Sequence, residues 1–360
     1  MLDLFKHSVE IILQNQSPSG AYPASPNFPT YRYCWFRDGA FIAYAMDLVG
    51  EVESAARFHD WAADTIMSRE NLIRRAVLKS RRGEALAPMD ALHTRYALNG
   101  EAGEEEWPNF QLDGFGTWLW ALGAHNRLWG GPLPDKWLYA ANLTADYLAS
   151  LWRLPCYDCW EEFPDCIHTY TLAAVYAGLL AEARLNGRDR RPVLTEIVEQ
   201  ILTQAVSNDH ITKFLGSYEV DASLLGLSVP YRIFGPDDPR VHSTVARIEA
   251  DLWNGGGLHR YAQDSYYGGG EWVLLAGWLG WYYAEAGELE RAEQILHWIA
   301  EQADEHGHLP EQVPVNLNDP GSYEPWRQRW GEIATPLLWS HAKYIILSVA
   351  IISARYGRSL

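Results

Sequence analysis

The chain has 360 residues, of which 48% are hydrophobic, and a formal net charge of −17 at pH 7. That length supplies one large core or two ordinary domains, and the acidic balance excludes a nucleic-acid partner, which needs a basic footprint. No window reaches about 18 uncharged apolar residues, and Met1–Lys6 shows no basic segment leading into an apolar one, so the expectation is a cytoplasmic protein with no membrane partner. Cys34, Cys156, Cys159 and Cys166 then read as free thiols in a reducing compartment.

In chain order, Leu2 to Gln16 carries a one-faced stripe at Phe5, Val9, Ile12 and Leu13. Ala40–Val49 is apolar nearly all round. Glu53–Met67 is one-faced, Phe115–Ala124 apolar all round. Leu138 to Trp152 is a stripe, and Tyr170–Ala181 is apolar all round. Leu194 to Ala205 is a stripe, followed by the short apolar run Asp221–Val229. Val241 to Leu252 is a stripe, and Trp272–Ala284 is apolar all round. Leu289 to Ala303 is a stripe, and Ala334–Ile352 is mostly apolar. The basic run Arg74, Arg75, Lys79, Arg81 and Arg82 reads as a solvated helix end or loop. A one-faced helix lies outside and an all-apolar helix is buried. Strict alternation predicts six outer–inner hairpins, closed into an all-α (α/α)6 toroid, with an open solenoid as the rival. No linker is visible, so the expectation is one catalytic domain over residues 1–360.

The unusual residues precede or open the inner helices. They are Trp35-Phe36-Arg37-Asp38, Trp107 to Gly114, Trp160-Glu161-Glu162, Ser217 to Asp221, Arg260 to Asp264 with Trp272, and Pro310-Glu311-Gln312. Parallel inner helices would bring these clusters to one mouth. Two carboxylates far apart in sequence, set among aromatics, suit glycosidic bond hydrolysis. Glu161 behind Trp160 is the candidate general acid, Glu162 a binder of a leaving-sugar hydroxyl, and Glu311 the candidate base. The competing reading makes Glu161 and Glu162 helix-dipole charges. Arg37 with Asp38, and Arg260 with Asp264, either fork-bond sugar hydroxyls or form buried ion pairs. Trp107 and Trp272 wall a site or simply pack, and Asp113 is a candidate helix cap. Cys156, Cys159, Cys166 and His168 match a zinc set by type but not by spacing, so reduced thiols and no metal are expected. Gly255–Gly257 and Gly268–Gly270 read as tight turns.

These motifs together resemble the glucoamylase-type enzymes of glycoside hydrolase family 15, from Tyr31 to Tyr344. Tyr31-Arg32-Tyr33-Cys34-Trp35-Phe36-Arg37-Asp38 is similar to the family's Tyr-x-Tyr-x-Trp-x-Arg-Asp, whose Arg and Asp hold the non-reducing-end glucose. Trp107 to Gly114, with Gln111, resembles the loop over the site. Tyr157-Asp158-Cys159-Trp160-Glu161-Glu162 resembles Tyr-Asp-Leu-Trp-Glu-Glu, with Cys159 in place of Leu. Arg260-Tyr261-x-x-Asp264, Trp272, Glu311 and Leu338-Trp339-Ser340 match later segments. The resemblance implies an (α/α)6 barrel and an exo-acting, inverting α-glucoside hydrolase that needs no cofactor. Glu161 would be its acid, Glu311 its base, and Tyr31, Trp35, Arg37, Asp38, Trp107, Gln111, Trp160, Glu162, Arg260, Asp264, Trp272 and Trp339 its sugar contacts. No flanking β-sandwich or starch-binding module is visible, which points to short oligosaccharides such as isomaltose. An α,α-trehalose hydrolase, a zinc-dependent cyclase and a non-catalytic sugar-binding protein are the rivals. Linkage preference is expected to rest on Trp107, Glu162 and the loop from Val313 to Arg329.

Overall fold

The computed structural model describes residues 2–103, 105–358 and 360; Met1, Glu104 and Ser359, which the expected 1–360 domain includes, lie outside the described residues. Thirteen α-helices are present among the described residues: α1 (Leu2–Asn15), α2 (Phe36–Leu48), α3 (Val52–Met67), α4 (Glu70–Arg81), α5 (Asp113–Trp129), α6 (Asp135–Leu151), α7 (Thr169–Asn186), α8 (Arg191–Gln204), α9 (Pro239–Leu252), α10 (Val273–Ala286), α11 (Leu289–Glu301), α12 (Tyr323–Trp330) and α13 (Leu338–Arg355). The apolar content of each helix decides its layer. α10 buries every residue from Val273 to Ala284, whereas α9 buries only Val241, Thr244, Val245, Ile248 and Leu252, one face of a 3.6-residue period.

The inner layer runs α2, α5, α7, a 3-10 segment at Ala222–Leu227, α10 and α13, and α13 packs back onto α2. The ring is therefore closed, which rules out the solenoid. α1, α3, α6, α8, α9 and α11 surround it. The tightest seam is between α5 and α7. A Cβ on Gly116 would stand 2.4 Å from the Ala174 carbonyl oxygen, and one on Gly178 would stand 2.6 Å from that of Gly116. Only glycine permits this backbone approach.

Three expectations need correction. The segment Asp221–Val229 is a 3-10 helix rather than an α-helix; Gly226 and Pro230 leave too little helix-forming sequence for further turns. The basic run at Arg74–Arg82 belongs mostly to a true helix, α4, which buries Ile73, Ala76 and Val77 against α6. Glu311 does not stand directly before α13. It immediately precedes a strand, Gln312–Val313, that pairs antiparallel with Glu271–Trp272, and α12 intervenes before the last inner helix. The pairing still delivers Glu311 to the mouth, because its carbonyl accepts from Val273 N at the start of α10 and Ser340 Oγ of α13 bonds the Pro310 carbonyl.

Candidate active site

A cavity of about 340 Å3 opens among the N-termini of the inner helices. Its wall includes Tyr31, Trp35, Arg37, Asp38, Trp107, Trp160, Glu161, Glu162, Arg260, Trp272, Glu311 and Trp339. Twelve of the fourteen residues expected from sequence thus meet around one space. Its size is at the small end for ligand sites, which suits a short ligand.

Glu161 hangs on a tight turn built by Asp158. Asp158 Oδ1 accepts from Trp160 N and Glu162 N, both at 2.9 Å, and its carbonyl accepts from Glu161 N at 3.0 Å. The turn holds Glu161 at φ 69° and Phe163 at φ 50°. Such left-handed backbone at non-glycine residues costs about 1–3 kcal/mol and collects at functional sites. Behind the turn, the buried Lys213 ammonium lies 3.1 Å from Asp221 and 3.9 Å from Asp158. Asp221 in turn accepts from Trp160 Nε1 at 3.1 Å. These contacts displace the simple helix-dipole reading: α7 begins only at Thr169, and Glu161 faces the cavity.

The two carboxylates sit in different aromatic surroundings. Trp35 Nε1 donates to Glu161 Oε1 at 2.6 Å. Tyr31 lies near enough to Glu311 to lower its proton affinity, and its hydroxyl shares a 2.8 Å bond with that of Tyr266. The Tyr31 and Trp35 rings meet edge to face, 5.6 Å apart, so the aromatic neighbours of the two acids pack together. Burial pushes the Glu311 carboxyl up to about 8, against the pull of the Arg260 guanidinium and the Tyr31 hydroxyl. Burial also raises Glu161, opposed by the indole N–H groups of Trp107 and Trp35 and by the Arg37 charge. Both groups are therefore biased toward holding a proton, Glu311 strongly.

Arg37 and Asp38 are both buried and 3.5 Å apart, and Arg37 also reaches Asp113 at 3.1 Å and Gln111 at 3.2 Å. Asp113 is thus an ion-pair partner at the start of α5 rather than its cap. Burial lifts Asp38 to about 6, with Arg37 opposing. Asp264 grips Arg260 through Nε at 2.8 Å and through Nη2. Arg260 Nη2 also lies 3.4 Å from Glu162, whose other oxygen accepts from the Tyr261 hydroxyl at 2.6 Å. Gln111 and Asp264 stand behind the wall, not on it: they orient Arg37 and Arg260, which do face the cavity.

Several buried polar atoms on wall residues have no hydrogen-bond partner in the protein: Asp38 Oδ2, Glu311 Oε2, Arg37 Nε, and the indole N–H groups of Trp272 and Trp339. Native interiors rarely leave such groups unmet. Donors and acceptors set close together among aromatic faces are what a ring of hydroxyls satisfies.

Sequence reasoning missed Tyr266, Glu106 and Trp330, which also line the cavity; Trp326 and Arg329 fall in the 313–329 segment expected there, but on helix α12 rather than a loop. The spacing of Trp326 and Trp330, one helical turn apart, was the available signal for α12. The thiol cluster is not a ligand set. His168 Nε2 donates toward the carbonyl oxygens of Cys156 and Phe163, both at 3.0 Å, and among the described residues the thiols and His168 do not bring three ligand atoms within 4.8 Å of one another. The four cysteines are unpaired. No helix among the described residues is long and apolar enough to cross a membrane.

Among curated proteins, the chain is 41% identical over 354 residues to the isomaltose glucohydrolase of Kribbella flavida, covering 96% of this chain and 92% of that one. Among solved structures, a glycosidase variant in complex with glucose superposes with a TM-score of 0.94 at 40% identity, covering 97% of this chain and 96% of the other. A bacterial glucoamylase complexed with acarbose, at 20% identity and TM-score 0.78, covers 98% of this chain and 55% of that one and shows the shared fold. The family model for "Glycosyl hydrolases family 15" matches residues 2–349. That match spans both carboxylates and the inner ring into its last helix, and with it the chain belongs to glycosyl hydrolases family 15 and is a glycoside hydrolase.

Proposed function

We propose that the protein is an exo-acting, inverting glucohydrolase that releases β-glucose from the non-reducing end of short α-gluco-oligosaccharides, with isomaltose as its preferred type of substrate. The observation that carries this reading is the cavity itself. Two carboxylates, Glu161 anchored by the Trp35 indole and Glu311 with an unmet oxygen, face a space of about 340 Å3. The 41% identity to an isomaltose glucohydrolase over nearly both chains supports the substrate assignment.

In this reading Glu161 is the general acid. Its raised affinity for a proton supports that role, and the glycosidic oxygen accepting its O–H would favour the protonated form further. Glu311 is the base. Its partnerless Oε2 would accept from the attacking water, and that bond favours the ionised form. Substrate and water therefore favour a protonated Glu161 and an ionised Glu311, the arrangement that inversion requires. Arg37 and Asp38 would hold hydroxyls of the terminal glucose over Trp339. Glu162, with Arg260 and Tyr261, would hold the leaving sugar. Trp326, Arg329 and Trp330 of α12 narrow the mouth and would limit chain length. A cytoplasmic setting belongs to the same proposal, supported by the four unpaired cysteines.

The test is glucose release from isomaltose, maltose, trehalose and soluble starch by wild type and Glu161→Gln. The proposal expects isomaltose to lead and starch to trail, with the variant slowed by at least about 100-fold. Preference for trehalose would assign the linkage to the rival trehalose hydrolase, and unchanged turnover in the variant would remove Glu161 from the mechanism.

A further inference from the structure

At the C-terminal ends of the inner helices, on the side of the ring away from the carboxylates, Asp47, His59 and His125 come together, all three buried. One ligand-capable atom from each lies within 4.8 Å of the others. His125 Nδ1 is 2.8 and 3.0 Å from the two oxygens of Asp47. His59 is fully buried and neither of its ring nitrogens has a hydrogen-bond partner. The His59 and His125 rings are 5.1 Å apart, and Trp137 closes the apolar side of both at 5.4 and 5.6 Å.

An imidazole with two orphaned nitrogens in the interior demands a partner. Packing alone does not explain a histidine there, since an apolar side chain would pack against Phe58 and Trp137 without stranding two polar atoms. We infer that Asp47, His59 and His125 form a binding site for a divalent transition-metal ion, zinc by ligand type, with a structural rather than catalytic role. Two imidazoles and one carboxylate can hold zinc with a fourth position left for water; the structural role rests on the cluster's place at the far end of the ring from the carboxylates. Asp47 lies in the last turn of α2 and His125 one turn before the end of α5, so two negative helix ends face the ion. The ion would tie outer helix α3 to inner helices α2 and α5.

The experiment is elemental analysis of protein purified without metal-affinity steps, after exposure to zinc and gel filtration. It is paired with thermal melts before and after chelation. The inference expects about one zinc per chain, and a Tm that falls on chelation and recovers by about 3 °C when zinc is in hundredfold excess over its dissociation constant. His59→Leu and Asp47→Asn, each checked by circular dichroism, should fold, retain little zinc and lose the zinc-dependent shift. Glucose release by the chelated enzyme below its Tm should equal that of the zinc-loaded enzyme. Substoichiometric zinc with no Tm response overturns the inference. So does equal retention by the variants, which would place the ion on the exposed histidines His7, His306 and His308. Activity lost with the ion would overturn its structural role and revive a zinc-dependent chemistry.

Discussion

Trp35→Phe isolates one hydrogen bond on the proposed acid. The indole N–H sits 2.6 Å from Glu161 Oε1, inside the cavity wall. Phenylalanine keeps an aromatic face against Tyr31 and removes only the donor. A hydrogen bond to a charged group is worth about 1.5–3 kcal/mol, and one to a neutral group about 1 kcal/mol. The N–H therefore favours ionised over protonated Glu161 by roughly 1–2 kcal/mol, about one pKa unit at 1.36 kcal/mol per unit. Removing it raises the Glu161 pKa, so the acid stays protonated to higher pH. The assay is the pH dependence of kcat at saturating isomaltose, which reports groups in the enzyme–substrate complex. The alkaline limb should move up by about one pH unit while the acidic limb stays. An unmoved alkaline limb, or a shift confined to the acidic limb, would refute Glu161 as the acid.

Tyr31→Phe removes the hydroxyl that holds the Glu311 proton affinity down; the acidic limb of kcat should move upward, and a downward shift would count against Glu311 as the base. Lys213→Met leaves the buried Asp158 and Asp221 without their cation; breaking such a network costs about 3–5 kcal/mol, visible in urea unfolding, and a loss below about 1 kcal/mol would show that the turn does not depend on it. Trp330→Ala opens the mouth beside α12, so the ratio of kcat/KM for isomaltotriose over isomaltose should rise; an unchanged ratio would free α12 of any part in chain length. Burial holds His341 down to about 3, with Nε2 accepting from Leu309 N. Its folded pKa lies below the ordinary 6.5, so the unfolded chain takes up a proton first. Stability should fall as pH drops from about 6.5 toward 3, by up to about 1.4 kcal/mol per pH unit from this group. His341→Gln should flatten that slope in urea titrations at several pH values.

The closed ring was legible in the alternation of all-apolar and one-faced stretches, because burial on every side leaves no polar positions. Two helices escaped that logic. α4 buries only three apolar residues, and its charges outvoted them; α12 buries none fully, so its two tryptophans looked like loop aromatics. At the site, the paired motifs named the cavity wall but not its depth. A sequence does not distinguish a polar side chain that touches the ligand from one that holds the side chain that does. Gln111 and Asp264 are of the second kind, fixing Arg37 and Arg260 from behind. Tyr266 was hidden for a related reason: its place beside Glu311 depends on the turn at Tyr266–Gly268, where Tyr267 takes φ 49°. The Asp47–His59–His125 cluster draws on three helices with no shared motif, so only the fold assembles it.

The central claim is that a water held by Glu311 attacks the face opposite the bond that Glu161 protonates. Proton NMR of fresh enzyme with isomaltose, following the anomeric signals from the first minute, tests it most directly. The account predicts that β-glucose appears first and mutarotates to the equilibrium mixture. α-Glucose appearing first would contradict it, because retention requires a carboxylate to attack the sugar itself.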